Sequence, residues 1–142
     1  MANMQRKVIL DAGALAALLR YRDAHHQWAV AELRRMVAPL LTCDAVLSET
    51  HFLLRDSPRA LQSIMKMSLD GAFVVAFSFE DEKMAVSKLL EKYADVPMSF
   101  ADACLVRMSE LYPDSAVFTL DSDFKIYRRN GRQAIPLIFP EK

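Results

Sequence analysis

Glycine is scarce: Gly13, Gly71 and Gly131 are the only three in 142 residues, so neither a phosphate-cradling GxxxxGK loop nor a GxGxxG turn can be written. P-loop and dinucleotide-binding readings are excluded on that ground. Cysteine is scarcer still. Cys43 and Cys104 stand in apolar surroundings without a CxxC pair, which fits core thiols in a reduced compartment rather than a disulfide framework. Long hydrophobic runs are missing too, since the longest purely apolar stretch, Ala72 to Phe77, is far too short to cross a bilayer. The polar start, Met1 to Lys7, passes straight into a short apolar run, unlike a secretory signal. A cytoplasmic protein with no membrane contact is expected. Finally, no charge of one sign is in excess: 18 basic and 18 acidic side chains cancel. A general nucleic-acid coat is thereby disfavoured, because counterion release needs many phosphate-facing Lys and Arg.

What is present is apolar material. At 53% hydrophobic, residues 1–142 have the size and composition of one domain with a real core. Val8–Leu10 reads as a strand ending in Asp11, followed by a helix over Ala12–Arg20 with Leu15, Leu18 and Leu19 at helical spacing. Asp23 is placed to cap a second helix to about Val37, with Trp28, Ala31, Leu33 and Met36 inward and Arg34 and Arg35 outward, before Pro39 stops it. Leu40–Cys43 is the next strand. Asp44 then caps a helix carrying Val46, Leu47, Phe52, Leu53 and Leu54, and Ser57 with Pro58 opens another that ends near Asp70 and Gly71. Ala72–Phe77 reads as a buried strand; Ser78 with Asp81 opens a helix to about Tyr93, and Ser99 with Asp102 repeats that signal ahead of a helix halted by Pro113. Ser115–Leu120 is a further buried strand, Asp121–Arg129 a short helix ended by Asn130 and Gly131, and Ile135–Phe139 a last strand. Strands separated by helices imply an α/β fold with a central parallel β-sheet flanked by helices on both faces.

In such a sheet the functional crevice lies outside the carboxyl ends of the strands, where strand order reverses. Asp11 and Asp121 each follow an apolar strand there, while Glu49 and Asp102 sit early in helices that start from the same edge, sharing faces with Val46 and Leu53 or with Leu105 and Val106. Carboxylates on apolar stripes need an explanation. Ordinary ones exist: Asp11 and Asp121 as helix caps, Asp102 as the third-position acid of a capping box with Ser99, Glu49 as a rim residue. Against four separate accidents stands their shared edge. Two carboxylates about 4 Å apart repel by roughly 4 kcal/mol at an effective dielectric near 20, so the cluster calls for a cation. Few Lys or Arg are near in sequence, and an oxygen-only donor set without His or Cys suits Mg2+ or Mn2+ rather than zinc. Such ions acidify water and suit phosphodiester hydrolysis.

The segments ILDAGALAALL (9–19), LSETHFLL (47–54), SFADACLVRMSE (99–110) and TLDSDF (119–124) resemble, in order and spacing, the four acidic motifs of PIN-domain ribonucleases, most closely the VapC-type toxins of bacterial toxin–antitoxin pairs. The resemblance runs from Val8 to Phe139. It implies that Asp11, Glu49, Asp102 and Asp121 are the catalytic, metal-binding acids, with Asp123 auxiliary and the Thr119 hydroxyl orienting a ligand or water. It further implies metal-dependent endonucleolytic cleavage of RNA, a homodimer, and a cognate antitoxin lying over the active site. The chain departs from the pattern after Asp11, where many members carry Ser, Thr or Asn and this chain has Ala12 and Gly13. Ala12 and Gly13 offer no side-chain hydroxyl or amide, so part of the usual surroundings that orient a ligand is missing there.

Arg20, Arg22, Arg34, Arg35, Arg55, Arg59, Lys125, Arg128, Arg129 and Arg132 read mostly as solvated surface, with a few available for RNA phosphates. His25, His26 and His51 lack ligand spacing and are not assigned to metal. Trp28, Met36, Phe52, Met65 and Met67 are mostly core, with some left for a groove that takes an amphipathic antitoxin helix or a second copy. The competing reading is a PIN-like module that binds RNA or protein without catalysis. A phosphoaspartate receiver is disfavoured, because the first motif is DAG rather than DD or DxD.

Overall fold

The structure, a computed structural model, describes residues 6–141; most of the polar start of the chain, residues 1–5, lies outside the described residues. The described residues form seven strands and six α-helices, the helices coming in pairs between the first four strands. In chain order they are β1 (Lys7–Leu10), α1 (Ala12–Leu19), α2 (His26–Leu33), β2 (Leu40–Thr42), α3 (Asp44–Leu53), α4 (Pro58–Leu69), β3 (Phe73–Val75), α5 (Phe79–Lys92), α6 (Phe100–Leu111), β4 (Ser115–Phe118), β5 (Arg128–Arg129), β6 (Gln133–Ala134) and β7 (Leu137–Ile138). A 3-10 turn, Ser122–Lys125, follows β4.

The main sheet has the order β3-β2-β1-β4-β7, and every pairing in it is parallel, as expected for strands linked by helices. β1 and β4 share the full register from Lys7 opposite Ser115 to Leu10 opposite Phe118, whereas β1 and β2 share the single pair Ile9 and Leu41. Alternation along β1 divides the core. Ile9 joins Val117, Leu105, Val106 and Val86 under α5 and α6, while Val8 and Leu10 join Leu15, Ile64, Phe73 and Phe118 under α1, α2 and α4. Each fully buried side chain of this size stabilises the fold by about 1.5–3 kcal/mol relative to its exposed state. The two-faced α/β architecture is borne out.

Several local readings are corrected. The second helix stops at Leu33 rather than near Val37; Ala29 is its buried alanine and Ala31 is exposed. Asp44 does not cap α3 but occupies its first turn, with Cys43 at the cap position. β3 is not buried throughout: it is an edge strand of three residues, with Val74 and Val75 open to solvent. On α3, Phe52 and Leu53 are exposed, as is Met65 on α4, while Trp28 packs edge-on against Phe118 at 5.5 Å and Met36 and Met67 line the core margin. The stretch 121–129 is no helix. The 3-10 turn gives way to an antiparallel hairpin of β5 and β6, turned by Asn130 (φ 51°) and Gly131 (φ 87°). Those residue types tolerate the left-handed region, so Asn-Gly here makes a turn rather than a helix stop.

Candidate active site

The chain leaves β1 in the middle of the sheet, builds β2 and β3 on one side, and returns to β4 on the other. Strand order therefore reverses between β1 and β4, and the crevice expected at such a point lies beyond Leu10 and Phe118. Asp11 and Thr119 are the next residues. Asp11 caps α1, its Oδ1 accepting from the amide of Ala12 at 2.7 Å, while its Oδ2 accepts from the Thr119 hydroxyl at 2.6 Å. Thr119 thus supplies the support that Ala12 and Gly13 lack side chains to give. Thr119 is wholly buried, and its Oγ1 also accepts from the amide of Asp121 at 2.9 Å. Asp121 lies beyond the end of β4, which closes at Phe118, and caps the 3-10 turn through a 2.9 Å bond from the Asp123 amide to its Oδ1.

The third acid comes from α6, whose buried face runs almost all the way round the helix. Asp102 is the one charged residue in that buried set, 8% exposed. It completes the capping box anticipated with Ser99: the Asp102 amide donates to Ser99 Oγ at 2.9 Å, and Asp102 Oδ2 accepts from the Ser99 amide at 3.4 Å. The same Oδ2 accepts from the Tyr127 hydroxyl at 2.8 Å. A cap alone needs neither burial nor a buried phenol. Glu49 projects from the second turn of α3, the helix that touches both α1 and α6, and is more exposed than the other three.

Electrostatics show that these acids share one field. Burial lifts the Asp11 carboxyl from 3.8 to about 7, opposed by the bonds from Thr119 and Ala12 and reinforced by the charges of Asp102 and Glu49. Burial likewise raises Asp102, against the bonds from Tyr127 and Ser99, with Asp121 adding to the rise. Glu49 is raised by partial burial, then by Asp102 and Asp121. Burial and the Asp102 carboxylate push the Tyr127 phenol upward, Asp123 and Asp121 adding to the rise, so it stays a donor. Among the described residues none of these acids forms an ion pair; the pairs present join other residues, such as Arg20 with Asp56 at 2.9 Å and Arg107 with Glu82 at 2.8 Å.

The anticipated basic groups are largely committed elsewhere. Arg128 donates to the carbonyls of Lys125 and Tyr127, Arg129 to those of Ser109 and Pro113, and Lys125 sits 4.3 Å from the Phe139 ring centroid. His26 and His51 donate through Nδ1 to the carbonyls of Ala17 and Leu47. An oxygen-only set of carboxylates, with Asp11, Asp102 and Glu49 raised chiefly by burial and with no ion-pair partner among the described residues, fits a hard divalent cation. Among the described residues no three His, Cys, Asp or Glu side chains are arranged to hold such an ion together. The fit is therefore to an ion held by one or two carboxylates, the usual habit of Mg2+, with water and substrate completing its sphere.

Tyr127 went unrecognised in the sequence. Its signal was a tyrosine three residues after Phe124, in a segment read as a helix; in the structure it stacks edge-on with Phe124 and Tyr93, both at 5.2 Å, and the aromatic packing aims its hydroxyl at Asp102.

Comparison with known proteins agrees with this layout. No curated protein matches the chain. Among solved structures, the Mycobacterium tuberculosis toxin VapC20, described as cleaving the sarcin-ricin loop, superposes with a TM-score of 0.74 at 22% identity, covering 84% of this chain and 94% of that one. That likeness is one of fold. Residues 8–130 match the family model of the PIN domain, and the chain belongs to the PIN-domain family.

Proposed function

We propose that the protein is a divalent-metal-dependent endoribonuclease that hydrolyses RNA phosphodiester bonds, and that it is the toxin of a toxin–antitoxin pair. The observation that carries the reading is the Asp11 carboxyl: buried at a strand-order reversal, lifted to about 7, and within the field of Asp102 and Glu49 with no ion-pair partner among the described residues. A purely structural acid gains nothing from such company. Mg2+ or Mn2+, when bound, supplies an acidified water and a counter-charge for the phosphodiester. One or two of Asp11, Asp102, Asp121 and Glu49 would hold it directly, the others, with Asp123 beside Asp121 as an auxiliary, acting through water in its sphere. Thr119 holds the Asp11 carboxyl and the backbone amide of Asp121, and the Tyr127 hydroxyl and the Ser99 amide fix the rotamer of Asp102. Orienting partners of this kind decide how well carboxylates work as ligands.

Incubation of structured RNA with the purified protein and Mg2+ or Mn2+, with EDTA as control, tests the reading. Cleavage lost in Asp11→Asn and Asp102→Asn, both still folded, is the expected result. A folded wild-type protein that cleaves nothing with either metal would instead be a non-catalytic RNA- or protein-binding module. Growth arrest on expression, relieved by the product of an adjacent short reading frame, tests the toxin assignment, and the molar mass in solution tests the homodimer. No helix among the described residues is long and apolar enough to cross a membrane.

A further inference from the structure

Beside Glu49 the surface opens into a shallow cleft of about 570 Å3, lined by Asp44, Ser48, Glu49, Phe52 and Phe100 among others. Its two aromatic rings are unusually bare. Phe52, one turn beyond Glu49 on α3, is 63% exposed, and Phe100, two residues before Asp102 on α6, is 46% exposed. Core packing does not account for either. The Phe100 ring is steadied from one side by Phe79, edge-on at 5.2 Å, and the Arg55 guanidinium lies 4.0 Å from the Phe52 ring centroid while donating to the Phe52 carbonyl at 2.8 Å. Arg55 forms no ion pair among the described residues, so its charge stands unpaired over the Phe52 ring, which lines the cleft.

We infer that Phe52 and Phe100 are base-stacking positions: the cleft takes unpaired nucleobases of an RNA strand whose backbone passes over the acids, with Arg55 answering a neighbouring phosphate. The inference rests on the ribonuclease reading for its substrate. Three features favour bases over other occupants. A nucleobase offers a flat face to an exposed ring, and stacking tolerates the acidic wall of Asp44 and Glu49, which would repel a bare phosphate. A guanidinium lying over an aromatic ring extends that platform with a positive charge, the pairing that single-strand binders use. Position supplies the third, since each ring is within one helical turn of a carboxylate of the site. Duplex RNA hides its base faces, so a strand bound this way must be unpaired there. Phe52 and Phe100 are then positioning residues that set which segments of a folded RNA reach the acids.

The test uses a single-stranded hexanucleotide with cleavage-resistant linkages and a central 2-aminopurine, titrated with the full-length protein in Mg2+. Stacking quenches the 2-aminopurine fluorescence. The expected result is saturable quenching with the single strand and none with the same sequence in a duplex. Phe52→Ala and Phe100→Ala should each weaken affinity by about tenfold. Phe52→Tyr should retain it, and Phe52→Leu, which keeps apolar bulk without a ring, should behave like Phe52→Ala. Unchanged affinity in both alanine variants overturns the inference, as does a loss of self-association in those variants with RNA affinity intact, which would give the rings to a second copy of the chain. The two readings fail separately. Quenching that depends on Phe52 in a protein that cleaves nothing retains the stacking and removes the nuclease; cleavage without quenching does the reverse.

Discussion

The hydroxyl of Thr119 donates to Oδ2 of Asp11 at 2.6 Å and accepts from the amide of Asp121 at 2.9 Å, so a single buried side chain ties together the ends of two neighbouring strands and two acids. Valine has nearly the same shape and neither capacity. In Thr119→Val, Asp11 loses the strongest bond to its charged form and the Asp121 amide is left without a partner. RNA cleavage should fall by about 10- to 100-fold, the usual cost of removing a partner that orients a ligand. Thermal unfolding should register a loss on the order of 1–3 kcal/mol. Wild-type rates at matched metal concentration would refute this role for Thr119.

The Asp11 carboxyl makes the metal-free protein sensitive to pH in a defined direction. Its folded value of about 7 lies above the ordinary 3.8, so between those limits the folded chain holds a proton that the unfolded chain has released. Stability is then highest near pH 4 and falls as pH rises to 7, by roughly 4 kcal/mol for this group in isolation. Asp11→Asn removes the penalty. Denaturant titrations in EDTA should show the variant gaining on the wild type as pH increases from 4 to 7, and level above that. A constant difference across the range would contradict it.

A divalent cation should reverse the same penalty. Mg2+ or Mn2+ at one hundred times its dissociation constant adds about 2.7 kcal/mol to stability by mass action. For a chain of 142 residues that corresponds to a rise in Tm on the order of 8 °C. The rise should be absent in Asp11→Asn and largely kept in Glu49→Gln, since Glu49 is the most exposed of the four acids. Differential scanning fluorimetry with and without metal decides it.

Tyr127→Phe keeps the edge-on packing against Phe124 and Tyr93 and removes only the bond to Asp102. Its cost should be about 1.5–3 kcal/mol, because the lost bond ends on a carboxylate. Cleavage should fall while the far-UV circular dichroism stays unchanged. A variant equal to wild type in both would leave Tyr127 a packing residue.

The strand-helix alternation was legible because β1 and β4 are buried on both faces and read as continuous apolar runs, and because Ser57, Ser78 and Ser99 carry cap signals that the structure uses, each accepting from an amide three residues on. The acids were legible as exceptions to that apolar pattern. Apolar runs say nothing about sheet position, which is why Ala72–Phe77 looked buried although β3 lies at an edge. Local signals also failed after Asp121. Asn130 and Gly131 look the same as a helix stop or as a hairpin turn, and the pairing of Arg128 with Ala134 that decides between them lies in tertiary structure. Missing the hairpin hid Tyr127, whose part in the site depends on aromatic packing rather than spacing.

β1 and β2 share the single register pair Ile9 and Leu41, supplemented by the Thr42 hydroxyl bonded to the Leu10 carbonyl at 3.0 Å, whereas β1 and β4 share four. Asp11, Asp102, Thr119 and Asp121 all belong to the side of the β1–β2 boundary built from β1, β4 and α6, whereas Glu49 rides on α3, between β2 and β3 in the chain. Hydrogen exchange should follow that boundary, with the amides of β2 and β3 opening before those of β1 and β4. Glu49 is then the one acid of the four whose place is set by the packing of α3 on α1 and α6, and not by the register of β1 with β4.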